Sequence, residues 1–189
     1  MITSIKYTLT SATIFCLLLL PVTSFAASEK TVSANGISSV QVGAIEDVEV
    51  STWKKNSVKI VCYEGDVNSE KLEIKSSAGS IQIKDNEPIC EKISITMPAN
   101  FKLKVSVVSG DVSVRDLKAG ARVGSVSGDL KIENILGSLE LESVSGEIKV
   151  LGTNGDLTLK TVSGNIEATK VVTEDLTVKS VSGEITVKP

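Results

Sequence analysis

The chain has 189 residues, a formal net charge of −3 and no histidine. A mildly acidic protein offers no electrostatic case for nucleic acid. The missing imidazole removes the usual base that activates a nucleophile.

In chain order, the first segment reads as a targeting signal. Lys6 is the only charge before Glu29, and an apolar run follows from Ala12 to Leu20, interrupted only by Thr13. Pro21 ends the run, and Ser24-Phe25-Ala26 supplies small residues at the −3 and −1 positions of a cleavage site. A basic start, a short apolar stretch and a small-x-small end form a secretory signal peptide over residues 1–26. The run is shorter than the ~20 residues that cross a bilayer, so no transmembrane segment is expected in the mature chain. Cys16 has no small-residue lipobox before it. Export is the expectation, to a periplasmic, cell-surface or secreted destination.

Residues 27–98 carry strand-like pairs at Val40/Val42, Val48/Val50, Val58/Ile60, Leu72/Ile74, Ile81/Ile83 and Ile93/Ile95. Their spacing varies, polar turn-rich stretches separate them, and no segment has a helical period. This part is expected to form irregular strands that continue a stack and cap its N-terminal end. Cys62 and Cys90 are the two cysteines left after cleavage. An even pair in an exported chain points to a disulfide, which would stabilise by about 3–4 kcal/mol for a loop of this length. The phase argues the other way: Cys62 shares a face with Val58 and Ile60, whereas Cys90 is out of step with Ile93 and Ile95.

From Ala99 onward the chain repeats. Val-Ser-Gly recurs at 108–110, 126–128, 144–146, 162–164 and 181–183, at spacings of 18, 18, 18 and 19. A fainter echo half-way through each repeat gives a nine-residue unit: apolar, x, Gly, x, apolar, x, apolar, x, x. Ten such units fit between 99 and 189, and of their thirty apolar slots only Thr153 is polar. Alternation of this kind makes strands with one buried face. The expected fold is therefore all-β: a parallel two-sheet β-solenoid of about 18 residues per coil, with strands stacked at ~4.8 Å and sheets ~10 Å apart. Equal offsets then form ladders. Val108, Val126, Val144, Val162 and Val181 are expected to make one inward ladder, and Val112, Leu130, Ile148, Ile166 and Ile185 another. The glycines read as corners. An antiparallel sandwich would need hairpin turns between strands, and among the repeats Asn154-Gly155 is the one dipeptide of that type.

Three stretches carry a family resemblance. Ile93-Ser-Ile-Thr-Met-Pro98, Leu103-Lys-Val-Ser-Val-Val-Ser-Gly-Asp111 with the Val-Ser-Gly repeats after it, and Val48-Glu-Val-Ser-Thr-Trp53 are similar to the adhesin-type domains of the DUF4097 family. The resemblance implies a β-solenoid on the envelope or surface side. It supplies no catalytic motif, and fold alone does not assign function.

The one patterned chemistry lies after each repeat glycine, where Asp111, Asp129, Glu147, Asn165 and Glu184 stack along an edge. The acids Asp111, Asp129, Glu147 and Glu184 form a candidate cation edge. Calcium-binding nonapeptide rolls use a Gly-Gly-x-Gly-x-Asp pattern that is missing here. The competing reading is a solvated turn in which short acids bond local backbone. Ser109, Ser127, Ser145, Ser163 and Ser182 make a second ladder with no base beside them. No aromatic residue follows Val108 to stack on a sugar. No catalytic residue, metal site or cofactor is assigned, and the chain is not expected to be an enzyme. The expected function is an exported, non-catalytic interaction module facing an envelope protein or surface component. The alternative is a metal- or glycan-binding envelope protein that uses the acidic edge. The last strand, Ile185-Thr186-Val187, is expected to leave an edge for association with a partner.

Overall fold

The computed structural model describes residues 27–43, 45–87 and 89–189. The signal-peptide reading of residues 1–26 lies outside them. The described residues form β1 (Ser28–Ser33), β2 (Ser39–Gly43), β3 (Asp47–Trp53), β4 (Ser57–Tyr63), β5 (Leu72–Ser77), β6 (Ser80–Asp85), β7 (Lys92–Pro98), β8 (Lys102–Val107) and β9 (Val112–Arg115). The regular repeats follow as β10 (Ala121–Ser127), β11 (Leu130–Leu136), β12 (Leu139–Ser145), β13 (Ile148–Asn154), β14 (Leu157–Ser163), β15 (Ile166–Val172), β16 (Leu176–Ser182) and β17 (Ile185–Val187). No helix occurs among the described residues.

The strands alternate between two sheets. One runs β1-β4-β7-β3-β9-β11-β13-β15-β17, the other β16-β14-β12-β10-β8-β2-β6-β5. From β8 onward each coil contributes one strand to each sheet, and all pairings are parallel. The register is the repeat itself: Leu130 sits opposite Ile148, and Ile148 opposite Ile166. Burial follows this ladder, with Val112, Leu130, Ile148 and Ile166 all enclosed between the sheets and Ile185 open at the outermost strand.

The inward valine ladder is corrected by the structure. Val108, Val126, Val144, Val162 and Val181 point outward and are 46–83% exposed. The buried positions are one residue earlier, at Val107, Ser125, Ser143 and Thr161. A strict alternation from Ala121 and Val123 puts Ser125 inside and Val126 outside. The other half of the coil obeys a different phase. Asp116, Asn134 and Lys170 take φ of 62°, 55° and 55°, and Gly152 takes 74°. Each inserts one extra step, as a bulge does, and turns Leu117, Ile135, Thr153 and Val171 inward. The two nine-residue halves look alike in sequence but differ in backbone.

The repeat glycines do form the corners. Gly110, Gly128, Gly146, Gly164 and Gly183 all have φ between 96° and 153°. At Gly146 a Cβ would also lie 2.8 Å from the Gly128 carbonyl carbon. Positive φ and stacked backbone together leave room only for hydrogen.

Before Ala99 the stack continues, but out of sequence order. β2 and β3 form a coil that pairs in parallel with β8 and β9 below it. β6 and β7 form another coil, which pairs in parallel with β2 and β3 from above. The first-made coil is thus enclosed between two later ones. The end is closed by antiparallel strands: β4 on β7, β1 on β4, and β5 on β6. Ala78 and Gly79, both at positive φ, make the two-residue turn between β5 and β6. Val67, Leu72, Cys62 and Cys90 lie buried under this cap.

Cys62 on β4 and Cys90 before β7 are bridged, with Cα atoms 5.5 Å apart. The phase objection has no hold because Cys90 belongs to no strand. Its position is set by buried Asp85, whose Oδ2 accepts the amides of Ile89 and Cys90 at 2.8 and 3.0 Å.

Candidate functional site

The acidic edge starts at the glycine corners. Each corner hands the chain to the residue that follows it, and that side chain stands above its counterpart one coil away. Asp47 Oδ1 accepts the amide of Asp111 at 2.8 Å, Asp111 Oδ1 that of Asp129 at 2.8 Å, and Asp129 Oδ1 that of Glu147 at 2.8 Å. Asn165 Oδ1 does the same for Glu184 at 2.9 Å. One oxygen of each short side chain therefore closes a backbone donor that the corner leaves without a ladder partner. Asn serves as well as Asp because the role needs an acceptor, not a charge. Glu147 is too long for it and instead accepts Lys149 Nζ at 2.7 Å. Among the described residues no three or more acids, histidines or cysteines gather as a metal-binding group.

The second ladder takes part in the fold through its backbone carbonyls and not through its hydroxyls. The hydroxyls of Ser125, Ser143 and Ser180 donate to the carbonyls of Ser127, Ser145 and Ser182 at 3.0, 3.1 and 3.0 Å. These bonds close the exits of β10, β12 and β16 before their corners. Ser127, Ser145, Ser163 and Ser182 have exposed side chains.

The outward faces differ along the stack. Over the later coils several charges pair. Arg122 pairs with Glu140, and Lys160 lies 2.7 Å from Glu142 and 3.8 Å from Glu140. These carboxylates raise the pKa of Arg122 and Lys160, and hydrogen-bonded Arg122 lowers that of Glu140. On the other sheet Glu49 meets Lys92 and Arg115. The hydrogen-bonded Lys92 ammonium, with Arg115 beside it, holds Glu49 below the ordinary carboxylate value.

Two further regions gather charge of one sign. At the cap, Glu46, Glu64 and Glu91 line an open hollow with Tyr63, and a carboxyl hydrogen bond with Glu64 pushes Glu91 upward. On the second sheet, Lys84 of β6 and Lys102 and Lys104 of β8 are exposed, and among the described residues none makes an ion pair. Glu73, opposite Lys84 on β5, is bonded to Lys75, and the two lysines together hold its pKa down. Gln41 of β2 lies between Gln82 and Lys104, and Gly43 between Lys84 and Ser106. Two adjoining hollows of about 360 and 240 Å³ run along this face and share Gln41 and Lys104. Neither region shows as a motif in sequence. Lys84 belongs to the cap hairpin and Lys102 and Lys104 to the first regular coil, and it is the enclosed β2 strand between them that makes them neighbours on one face.

The Toastrack DUF4097 family model matches residues 31–189, from β1 to the last strand. The chain belongs to the Toastrack DUF4097 family. Its fold is similar to that in the crystal structure of a putative cell adhesion protein from Clostridium sporogenes ATCC 15579. The two are 16% identical, with a TM-score of 0.53 over 86% of this chain and 97% of that one. At that identity the likeness is one of fold. No curated protein matches the sequence.

Within this Toastrack chain the repeat motifs carry architecture. Glycine makes the corner, the acid or amide after it bonds the next coil, and the inward serine closes the strand. Of the sequence-selected acids, Asp111, Asp129 and Glu147 stand in consecutive coils, while Glu184 is one coil beyond Asn165. No helix among the described residues is long and apolar enough to cross a membrane.

Proposed function

We propose that the protein is an exported, non-catalytic interaction module that holds long flat faces toward an envelope protein or surface component. One observation carries this reading. The short acids after the glycines and the inward serines are bonded to backbone within the stack, whereas the outward rows, the repeat serines among them, stay exposed and differ from coil to coil. A nucleophile needs an adjacent base, and the repeat serines have no histidine to serve them. Signal-like residues 1–26 and the Cys62–Cys90 bridge suit an oxidising compartment outside the cytoplasm. The name of the structurally similar Clostridium sporogenes protein, a putative cell adhesion protein, agrees with a binding role. Outermost strands β16 and β17 offer a second route, strand addition, since each has one unpaired edge in this structure.

The test is cross-linking of the tagged protein in its own envelope, followed by mass spectrometry of the captured material. Recovery of a specific partner through residues on the outward rows supports the module. Two cross-linking chemistries that both capture nothing would count against a protein partner. Turnover of a substrate that survives purification to homogeneity would overturn the non-catalytic reading.

A further inference from the structure

The basic face of β6, β2, β8 and β10 has a composition that selects a class of partner. Its exposed cations are Lys84, Lys102 and Lys104, with Arg122 at the border where Glu140 begins the paired region. Its uncharged groups are the amides of Gln41 and Gln82 and the hydroxyls of Ser39 and Ser106. The outward side chains of β2 and β8 add no apolar or aromatic group. Gly43 and Gly124 flank Ser106 in the same row, where a Cβ would meet only the Ser106 carbonyl at 3.8 Å, or nothing. Their missing side chains deepen the hollows. Three unpaired positive charges on a protein of net charge −3 are a local excess, and such an excess raises the local concentration of anions.

We infer that this face binds an acidic polysaccharide, with Lys84, Lys102 and Lys104 meeting its carboxylates and Gln41 and Gln82 bonding its hydroxyls. The inference deepens the interaction-module reading and rests on it. Charge complementarity fixes the sign of the ligand. The alternation of lysine with amide and hydroxyl fixes its kind, because a sugar chain presents anionic and hydroxyl groups together along its length. Neighbouring strands lie ~4.8 Å apart, so Lys84 and the β8 lysines, separated by β2, are about 10 Å apart across the strands. An extended chain can span that distance, and a single small anion cannot. A membrane surface is the poorer fit, since nothing apolar on β2 or β8 stands ready to enter it.

The experiment titrates the full mature protein with polygalacturonate, with neutral dextran as control, at low and at raised salt. Wild type should bind polygalacturonate, weaken on adding salt, and ignore dextran. The triple variant Lys84→Gln, Lys102→Gln, Lys104→Gln should bind about tenfold more weakly. The matched triple Lys131→Gln, Lys149→Gln, Lys179→Gln removes the same charge elsewhere and should stay within about twofold. Equal loss in both triples would reduce the effect to net charge and overturn the site. Equal affinity for dextran, or no binding to polygalacturonate, would overturn it as well. Vesicles of phosphatidylcholine with one-fifth phosphatidylglycerol give the membrane arm, and binding to them without binding to polygalacturonate rejects the glycan. Thermal melting of both triples excludes unfolding as the cause. If the polysaccharide arm fails while envelope cross-linking recovers a protein partner, this face is rejected and the interaction module stands.

Discussion

Alanine placed at three glycines should give three different results, because the structure separates two costs. Gly124, in the middle of β10, has ordinary extended backbone and open space where a Cβ would stand. Gly124→Ala should leave stability unchanged or raise it by about 0.5–1 kcal/mol, the usual penalty of glycine in a strand. Gly36 has φ of +73° with nothing within 4 Å. Gly36→Ala meets only the left-handed backbone cost, about 1–2 kcal/mol. Gly146 combines φ of +124° with a Cβ position 2.8 Å from the carbonyl carbon of Gly128. The atoms in its way are backbone, so relief requires two stacked corners to separate. Adding about 1–3 kcal/mol of backbone strain to the loss of coil-to-coil hydrogen bonds puts Gly146→Ala at about 3 kcal/mol or more. Urea unfolding followed by circular dichroism measures all three, with the slope checked for a change in cooperativity. The reasoning fails if Gly146→Ala costs no more than Gly36→Ala, or if Gly124→Ala is as damaging as either.

Named contacts set four further outcomes. Ile148→Asp places a charge at a fully buried rung and should unfold the central coils, whereas Val126→Asp, at an outward valine 48% exposed, should cost less than about 1 kcal/mol by the same melts. Asp129→Ala removes the acceptor for the Glu147 amide and should cost about 1 kcal/mol, while Asp129→Asn keeps an acceptor, as Asn165 does, and should cost under about 0.5 kcal/mol; melting temperature should not move with calcium or chelator, and a calcium shift abolished by Asp129→Asn would restore the cation edge. Reducing the Cys62–Cys90 bridge, whose ends are 28 apart in sequence, should lower stability by about 3–4 kcal/mol, with increased hydrogen exchange confined to the cap around β4 and β7. Glu49 has a folded pKa below its ordinary 4.5, so its stabilising contribution is complete above the unfolded value and is lost as pH falls through the folded one; Glu49→Gln should lower stability at neutral pH and flatten acid melting below about pH 4.5, and an unchanged acid limb would contradict the Lys92 and Arg115 pairing.

The regular half was legible because a parallel stack repeats its environment. Leu130, Ile148 and Ile166 see the same neighbours one coil apart, so their chemistry recurs once per coil. The phase of the valine rung was not legible. Plain alternation puts the valines outside, whereas in the other half-repeat positive φ at Asp116, Asn134, Gly152 and Lys170, four positions with no shared side-chain chemistry, turns the equivalent residues inward. Averaging the two half-repeats into one nine-residue unit hid that difference and moved the valines inside. β1 also escaped, because Ser-Glu-Lys-Thr-Val-Ser offers one apolar residue and lies at a sheet edge. The acidic edge was visible as a row, but its role was not, since a carboxylate bonding the next coil and one awaiting a cation have the same spacing in sequence.

The non-sequential cap explains why the candidate surface lies where it does. In the regular coils each outward residue faces its counterpart in the next repeat, and some of these neighbours carry opposite charge, as in Arg122 with Glu140 and Glu142 with Lys160. Between β6, β2 and β8 that rule cannot operate. Gln41 is set beside Gln82 and Lys104, which belong to no common repeat, so no local duplication balances the rows. The chain must also pass outward to β4 and β5 and return before β8, which brings segments of unrelated sequence onto one flat face. The stack thus has a conservative part, where identical rungs must pack and pair, and a free part, where neighbours are set by topology alone. Lys84 lies in the second part, and the enclosed β2 strand brings it onto one face with Lys102 and Lys104 of the first regular coil.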